Sequence, residues 1–157
     1  MTRTHLVSLM ALVLAVPAAT AGSFFSSSPR PCFVADTTGY EMSASAAANY
    51  IVRIDNTAPA PSLRMQLVDD PAAADFVLVD DGNAAEACKT AIEIKSIRLD
   101  PAAAKADLTV ALSRADADYK IYVRSAHFSE QEAAALFAVV WQNARKIGSS
   151  RDLAARH

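Results

Sequence analysis

Between Asn49 and Arg124 the apolar residues recur at every second position, in one short segment after another. Tyr50, Val52 and Ile54 alternate with Ile51, Arg53 and Asp55, and Leu63, Met65 and Leu67 alternate with Arg64, Gln66 and Val68. Leu108, Val110 and Leu112, then Tyr119, Ile121 and Val123, repeat the pattern. Successive side chains on a strand point to opposite faces, so a period of two describes strands buried on one face and wetter on the other. Phe76-Val77-Leu78-Val79 is continuously apolar between acidic flanks, which predicts a central strand covered on both faces. Ile92 and Ile94 alternate with Glu93 and Lys95, but Ile97 and Leu99 fall on the opposite parity, so a bulge or bend is expected near Ser96. The link Ser113 to Asp118 is short and polar, which predicts an antiparallel hairpin for the last two strands. Residues 33–48 read ambiguously: Phe33-Val34 suits the start of a strand, and Met42 to Ala48 suits a short helix or an edge strand.

A sheet with one apolar face has to bury it against another element. The C-terminal segment has the clearest helical period. Ser129 and Glu132 form a capping box, and Ala133, Leu136, Phe137, Val140, Ala144 and Ile147 make one apolar stripe. Arg145 and Lys146 suit a helix C-terminus and Gly148 a stop, leaving Ser149 to His157 as a polar, disordered tail. The expected fold is α+β, a mainly antiparallel sheet of about five to six strands packed against one C-terminal helix. Residues 32–148 form it as a single domain.

The N-terminus reads as a cleavable secretion signal. Arg3 and His5 precede the apolar run Leu6 to Val16, followed by Pro17 and small residues ending Ala19-Thr20-Ala21, with cleavage expected after Ala21. That run is 11 residues long, too short to span a bilayer comfortably. No cysteine lies at the cleavage point for acylation, so the mature form has no expected transmembrane anchor. Residues 22–31 form a flexible leader. The mature chain carries 14 basic against 17 acidic residues, a net charge of −3, which disfavours nucleic acid as a partner. About a fifth of the chain is alanine and no Asn-x-Ser/Thr acceptor occurs, which suits a periplasmic or secreted bacterial protein. In an oxidising compartment Cys32 and Cys88, the only cysteines, are expected to pair. Two unpaired buried thiols are another reading, and a redox pair a third, for which the usual Cys-x-x-Cys spacing is absent.

Asp70-Pro71-Ala72-Ala73-Ala74 recurs as Asp100-Pro101-Ala102-Ala103-Ala104, each time between two apolar segments. It reads either as a reused linker or as a duplicated strand-turn-strand unit, with Asp as N-cap and Pro at the first helical position.

No catalytic or metal motif is present, and no cofactor is expected. In Asp80-Asp81-Gly82-Asn83, placing Gly82 at the calcium-loop glycine puts Val77 and Val79 at ligand positions. The mature chain has two histidines, His127 and His157, too few for a multi-histidine metal site. Four glycines leave little for a phosphate-cradling loop. His127 lies between the last strand and the helix cap, near Ser129 and Glu130 but in no nucleophile elbow.

If Tyr50, Met65, Val110 and Ile121 face the helix, the other face carries Arg53, Arg64, Gln66, Lys95, Thr109, Lys120, Tyr122 and Arg124. Arginine with tyrosine is favoured in protein interfaces and carboxylate contacts. Asp75 to Val79 after Pro71 to Ala74 resembles a strand entry of small bacterial envelope modules, including the N-terminal domain of the Tol-Pal β-propeller protein. The likeness spans only this stretch and carries over no ligand residue. The expected function is a non-enzymatic binding module that contacts an envelope protein or cell-wall component through Arg53, Arg64, Lys95, Lys120, Tyr122 and Arg124. The other readings are a small inhibitor with a rigid exposed loop, and a hydrolase with a pocket holding His127 beside a carboxylate.

Overall fold

The computed structural model describes residues 31–80, 88–115 and 117–154, with side chains described as far as residue 146. The expected signal segment, its cleavage site and the leader up to Arg30 lie outside the described residues, as do Asp81, Gly82 and Asn83.

Eight strands form one sheet: β1 Cys32–Ala35, β2 Thr38–Met42, β3 Tyr50–Ile54, β4 Leu63–Leu67, β5 Phe76–Asp80, β6 Glu93–Leu99, β7 Leu108–Ser113 and β8 Tyr119–Ser125. One helix follows, α1 Glu130–Ala154. The α+β class with one C-terminal helix holds, but the sheet is larger than expected and mixed. Its order is β1-β2-β6-β3-β7-β4-β8-β5, and every neighbouring pair except β1–β2 is parallel.

The order is an interleaving of two arms: β2, β3, β4 and β5 alternate across the sheet with β6, β7 and β8. A parallel connection ordinarily takes a dozen or more residues, because the chain must return the length of a strand. Here the links between successive strands of an arm are only five to eight residues long. They suffice because the strands are staggered. Ile97 of β6 is level with Met42, the end of β2, on one side and with Tyr50, the start of β3, on the other. In the same way Val110 lies between Ile54 and Leu63, and Ile121 between Leu67 and Phe76. From the other arm, Val52 lies between Leu99 and Leu108, and Met65 between Leu112 and Tyr119. Each strand begins level with the end of its predecessor in the arm, two strands further along the sheet. The expected β7–β8 hairpin is therefore absent: those strands run parallel on either side of β4. The five pivots Ile97, Val52, Val110, Met65 and Ile121 have no exposed surface.

Each link crosses the strand lying between the two it joins, and in four of them a polar residue at the end fastens it there. The Asn49 side chain accepts from Ser96 N (2.8 Å), Ser62 Oγ from Thr109 N (3.1 Å), Asp75 Oδ2 from Lys120 N (2.7 Å) and Asp107 Oδ2 from Ile51 N (2.7 Å). Ser62, Asp75 and Asp107 also donate their own N–H to the carbonyls of Thr109, Lys120 and Ile51. A strand that changes ladder partner at its pivot leaves N–H groups without a backbone acceptor, and these side chains provide one. The repeated Asp-Pro-Ala-Ala-Ala segments begin two of the links alike. Asp70 Oδ1 accepts from Ala72 N at 2.9 Å and Asp100 Oδ1 from Ala102 N at 3.0 Å.

The stagger curls the sheet around the first turns of α1. Four consecutive helix residues, Ala133 to Leu136, are fully buried together with Ala138 and Val139, so this end of the helix is enclosed on all sides. Phe137 and Val140 of the expected stripe are only partly buried, Ala144 is exposed, and the helix continues through Gly148 to Ala154. Glycine at that position lacks the company of a left-handed turn and does not end it. The capping box forms as expected, with Glu132 N donating to Ser129 Oγ at 3.2 Å and Ser129 N to Glu132 Oε2 at 2.8 Å.

Two strand readings are corrected. β5 is not central: it is an edge strand, and Val77 and Val79 on its outer face are 45% and 41% exposed. β6 carries no bulge at Ser96, because pairing with β2 runs unbroken from Thr38↔Glu93 to Met42↔Ile97. Ile94 consequently faces outward, and Ile92 precedes the strand in an exposed position. Residues 33–48 form the β1–β2 hairpin and a link. Cys32 and Cys88 are joined, with Cα atoms 5.7 Å apart.

Candidate functional site

Strand parity divides the expected contact residues. The inward set Tyr50, Val52, Leu63, Met65, Val110 and Ile121 packs toward α1. Arg53, Arg64, Lys120, Tyr122 and Arg124 have the opposite parity and lie on the outer face. Lys95 does not join them. With no bulge in β6 it shares the parity of Ile97 and pairs with buried Tyr40, which puts it on the inner face. The expected basic face therefore loses one member, and Arg98, on the outward parity of β6, was overlooked.

The outer face is not a bare plane, because the links cross on it. Arg53 is half-buried beneath the β6–β7 link, its Nη1 donating to Ala103 O at 3.1 Å and its Nη2 to Thr109 Oγ1 at 3.4 Å. Its Nε lies 3.9 Å from Asp55 Oδ2. Arg98 pairs with Asp100 at 3.2 Å. Arg64 is exposed and donates to Pro59 O at 3.4 Å, while Gln66 Nε2 reaches Arg114 O at 3.3 Å. Acidic residues of the links thus neutralise the middle of this face. Asp55 is itself held below the usual carboxylate range, chiefly by the hydroxyl of Thr57 and then its N–H, which both donate to Oδ1.

Towards the β8–β5 edge the face changes character. Val77 lies opposite Tyr122 and Val79 opposite Arg124, with Lys120 further along β8. Apolar, aromatic and cationic side chains are therefore adjacent on the outer face of an edge strand. The edge position of β5 was not legible in its apolar run, since a strand covered on both faces and one with an unpartnered apolar face read alike.

His127 meets a carboxylate. Its Nδ1 contacts Oδ2 of Asp80, a side chain 9% exposed at the end of β5. Ser125 Oγ donates to the same oxygen at 2.9 Å and accepts from the N–H groups of His127 (3.0 Å) and Phe128 (2.9 Å). Imidazole and hydroxyl both address the carboxylate, so the aspartate stands between them and the His127 Nδ1 is directed at the aspartate, not at the serine oxygen. The arrangement ties the turn before α1 to the end of β5. Ser129 and Glu130 are not part of it: Ser129 caps the helix and Glu130 pairs with Arg114 at 3.3 Å. No group of three or more His, Cys, Asp or Glu side chains among the described residues could hold a metal ion.

On the inner face, at the end of the curl away from the helix cap, a cavity of about 280 Å³ lies between the β1–β2 turn, β6 and the helix. Lys95, Tyr40, Asn143 and Lys146 line it. No family profile, curated protein or solved structure matches the chain.

Proposed function

We propose that this chain is an exported, non-enzymatic binding module that holds an envelope protein at the outer face of β8 and β5. The observation that carries this reading is the half-exposed pair Val77 and Val79 on an edge strand, in register with Tyr122 and Arg124. Apolar and tyrosine side chains beside arginine are the composition of interface cores, and the β5 strand carries no lysine or proline to blunt it. Exposed valines favour a protein over a cell-wall glycan, which would be met chiefly by hydrogen bonding. Arg53 and Arg64, tied to link carbonyls, flank the surface without forming its centre. Export is supported by the disulfide and by the N-terminal segment read above. Among the described residues no helix is long and apolar enough to cross a membrane.

The test is site-specific photocrosslinking in the cells that make the protein, with the reactive residue placed at Val79, Tyr122 or, as a control on the same face, Arg64. Discrete adducts from positions 79 and 122 and none from 64 are expected. Absence of adducts at 79 and 122, or the same adducts from all three sites, overturns the reading.

A further inference from the structure

The inner-face cavity supplies an independent site, on the opposite side of the sheet from the proposed partner surface. Lys95 lines it from β6 and Lys146 from α1, so two lysines from different elements border one space of about 280 Å³; the Lys146 ammonium also donates to Gln142 Oε1 at 3.4 Å. Pockets for drug-sized ligands are generally larger, so this one suits an ion or the charged end of a longer molecule. Asn143 is fixed between two tyrosines. Tyr50 donates to its Oδ1 at 3.0 Å, and its Nδ2 donates to the Tyr40 oxygen at 3.1 Å, which leaves the Tyr40 hydroxyl hydrogen as a donor.

One acidic residue lines the same space and a second pairs with Lys95. Asp36 is exposed on the β1–β2 turn, where its φ of 53° fixes the turn, and Glu93 pairs with Lys95 at 3.3 Å. The Glu93 side chain is 61% exposed against 26% for Lys95. The pair is therefore held from the solvent side by an exposed partner, a geometry that stabilises little. Burial opposes charge on Lys95, but its hydrogen bond to Glu93 leads the contributions that outweigh it and raise its pKa. Lys95 is a cation through the whole physiological range.

We propose that this cavity binds a small oxyanion, a carboxylate or phosphate, between Lys95 and Lys146 with Tyr40 as hydroxyl donor, the ligand displacing Glu93. The experiment is an amide NMR titration of the disulfide-bonded protein with inorganic phosphate, acetate and the dipeptide Ala-Ala. Saturable shifts at Thr37, Thr38, Asn143 and Ala144 are expected. Saturation by phosphate alone identifies a phosphate site, and saturation by acetate and Ala-Ala identifies a carboxylate site. Lys95→Gln should weaken binding about tenfold, the loss of one charge-assisted hydrogen bond. Glu93→Gln should tighten it several-fold by removing the competitor. Shifts that do not saturate with any of the three probes overturn the proposal, as do shifts unchanged in a folded Lys95→Gln protein. Should Lys95→Gln fail to fold, failure of Glu93→Gln to tighten binding overturns it alone.

Discussion

The rings of Phe33 and Phe76 meet edge to face with centroids 5.8 Å apart, although β1 and β5 stand at opposite ends of the sheet order. The two edges of an eight-stranded sheet touch only if it curls most of the way round. Phe76 also packs on Phe137 of the helix at 5.1 Å, and Phe137 on Tyr119 at 5.5 Å, so the closing contact is anchored on the enclosed helix. Phe76→Ala should therefore destabilise the fold by about 3 kcal/mol. In a double-mutant cycle, Phe33→Ala and Phe76→Ala should couple by about 0.5–1.5 kcal/mol, read from urea unfolding midpoints. Strict additivity would show that the edges do not meet in solution.

The disulfide lies over Gly39 of β2. A Cβ at that position would stand 2.6 Å from Cys88 Sγ and 3.3 Å from Cys32 Sγ, so only glycine lets the bridge pass this close. Reducing the bridge, whose cysteines are 56 residues apart, should cost about 4 kcal/mol in the chain-entropy account. Gly39→Ala should destabilise oxidised protein much more than the Cys32→Ser, Cys88→Ser protein. Thermal melts of the four proteins decide it, and equal losses in both backgrounds would count against the assigned crossing.

The faces were legible and the topology was not. Alternation at Tyr50–Ile54, Leu63–Leu67, Leu108–Leu112 and Tyr119–Val123 correctly assigned the side chains that meet the helix. Alternation also suggested antiparallel pairing, because parallel strands are usually covered on both faces and read as continuous apolar runs. Here parallel strands leave one face wet, so their pattern imitates a meander. Lys95 changes face for a related reason: Ile92 and Ile94 are apolar yet exposed, and Ile97 and Leu99 set the inward parity of β6. A usable signal was present. β3, β4 and β5 start at positions 50, 63 and 76, thirteen residues apart, each directly after a short hydrogen-bonding residue, Asn49, Ser62 or Asp75. Such a regular step, too short for a helical crossover, points to one arm of a staggered parallel sheet. The candidate site was half legible: Tyr122 and Arg124 follow from parity, but their valine neighbours required knowing that β5 is an edge.

Asp55 makes stability depend on acid pH in a direction fixed by its hydrogen bonds. Thr57 donates to it twice, which lowers its native pKa relative to the unfolded chain. A depressed carboxylate contributes stability that is fully present above its unfolded pKa of about 4 and is lost as the pH falls through the native value. Asp55→Asn should therefore lower the urea midpoint at neutral pH, and its difference from the parent should shrink as the pH falls below about 4. A difference independent of pH would assign the loss to packing.

Arg53 and Arg64 have the same parity on successive strands of one arm and read alike in the sequence, yet the links treat them differently. Arg53 is pinned beneath the β6–β7 link, where its guanidinium serves the Ala103 carbonyl and Thr109 and its stem covers the strand. Arg64 is exposed, with one long contact to Pro59. Removing Arg53 strips a partner from a link carbonyl and uncovers its stem's packing, so Arg53→Ala should cost about 1–2 kcal/mol. Arg64→Ala should stay within about 0.5 kcal/mol of the parent, as surface changes usually do. Urea midpoints separate the two. If both substitutions are silent, the β6–β7 link does not depend on Arg53, and the outer face is more open to a partner than its crossings imply. If both are costly, Arg64 also belongs to the scaffold, and the partner surface narrows further toward Tyr122, Arg124 and the valines of β5.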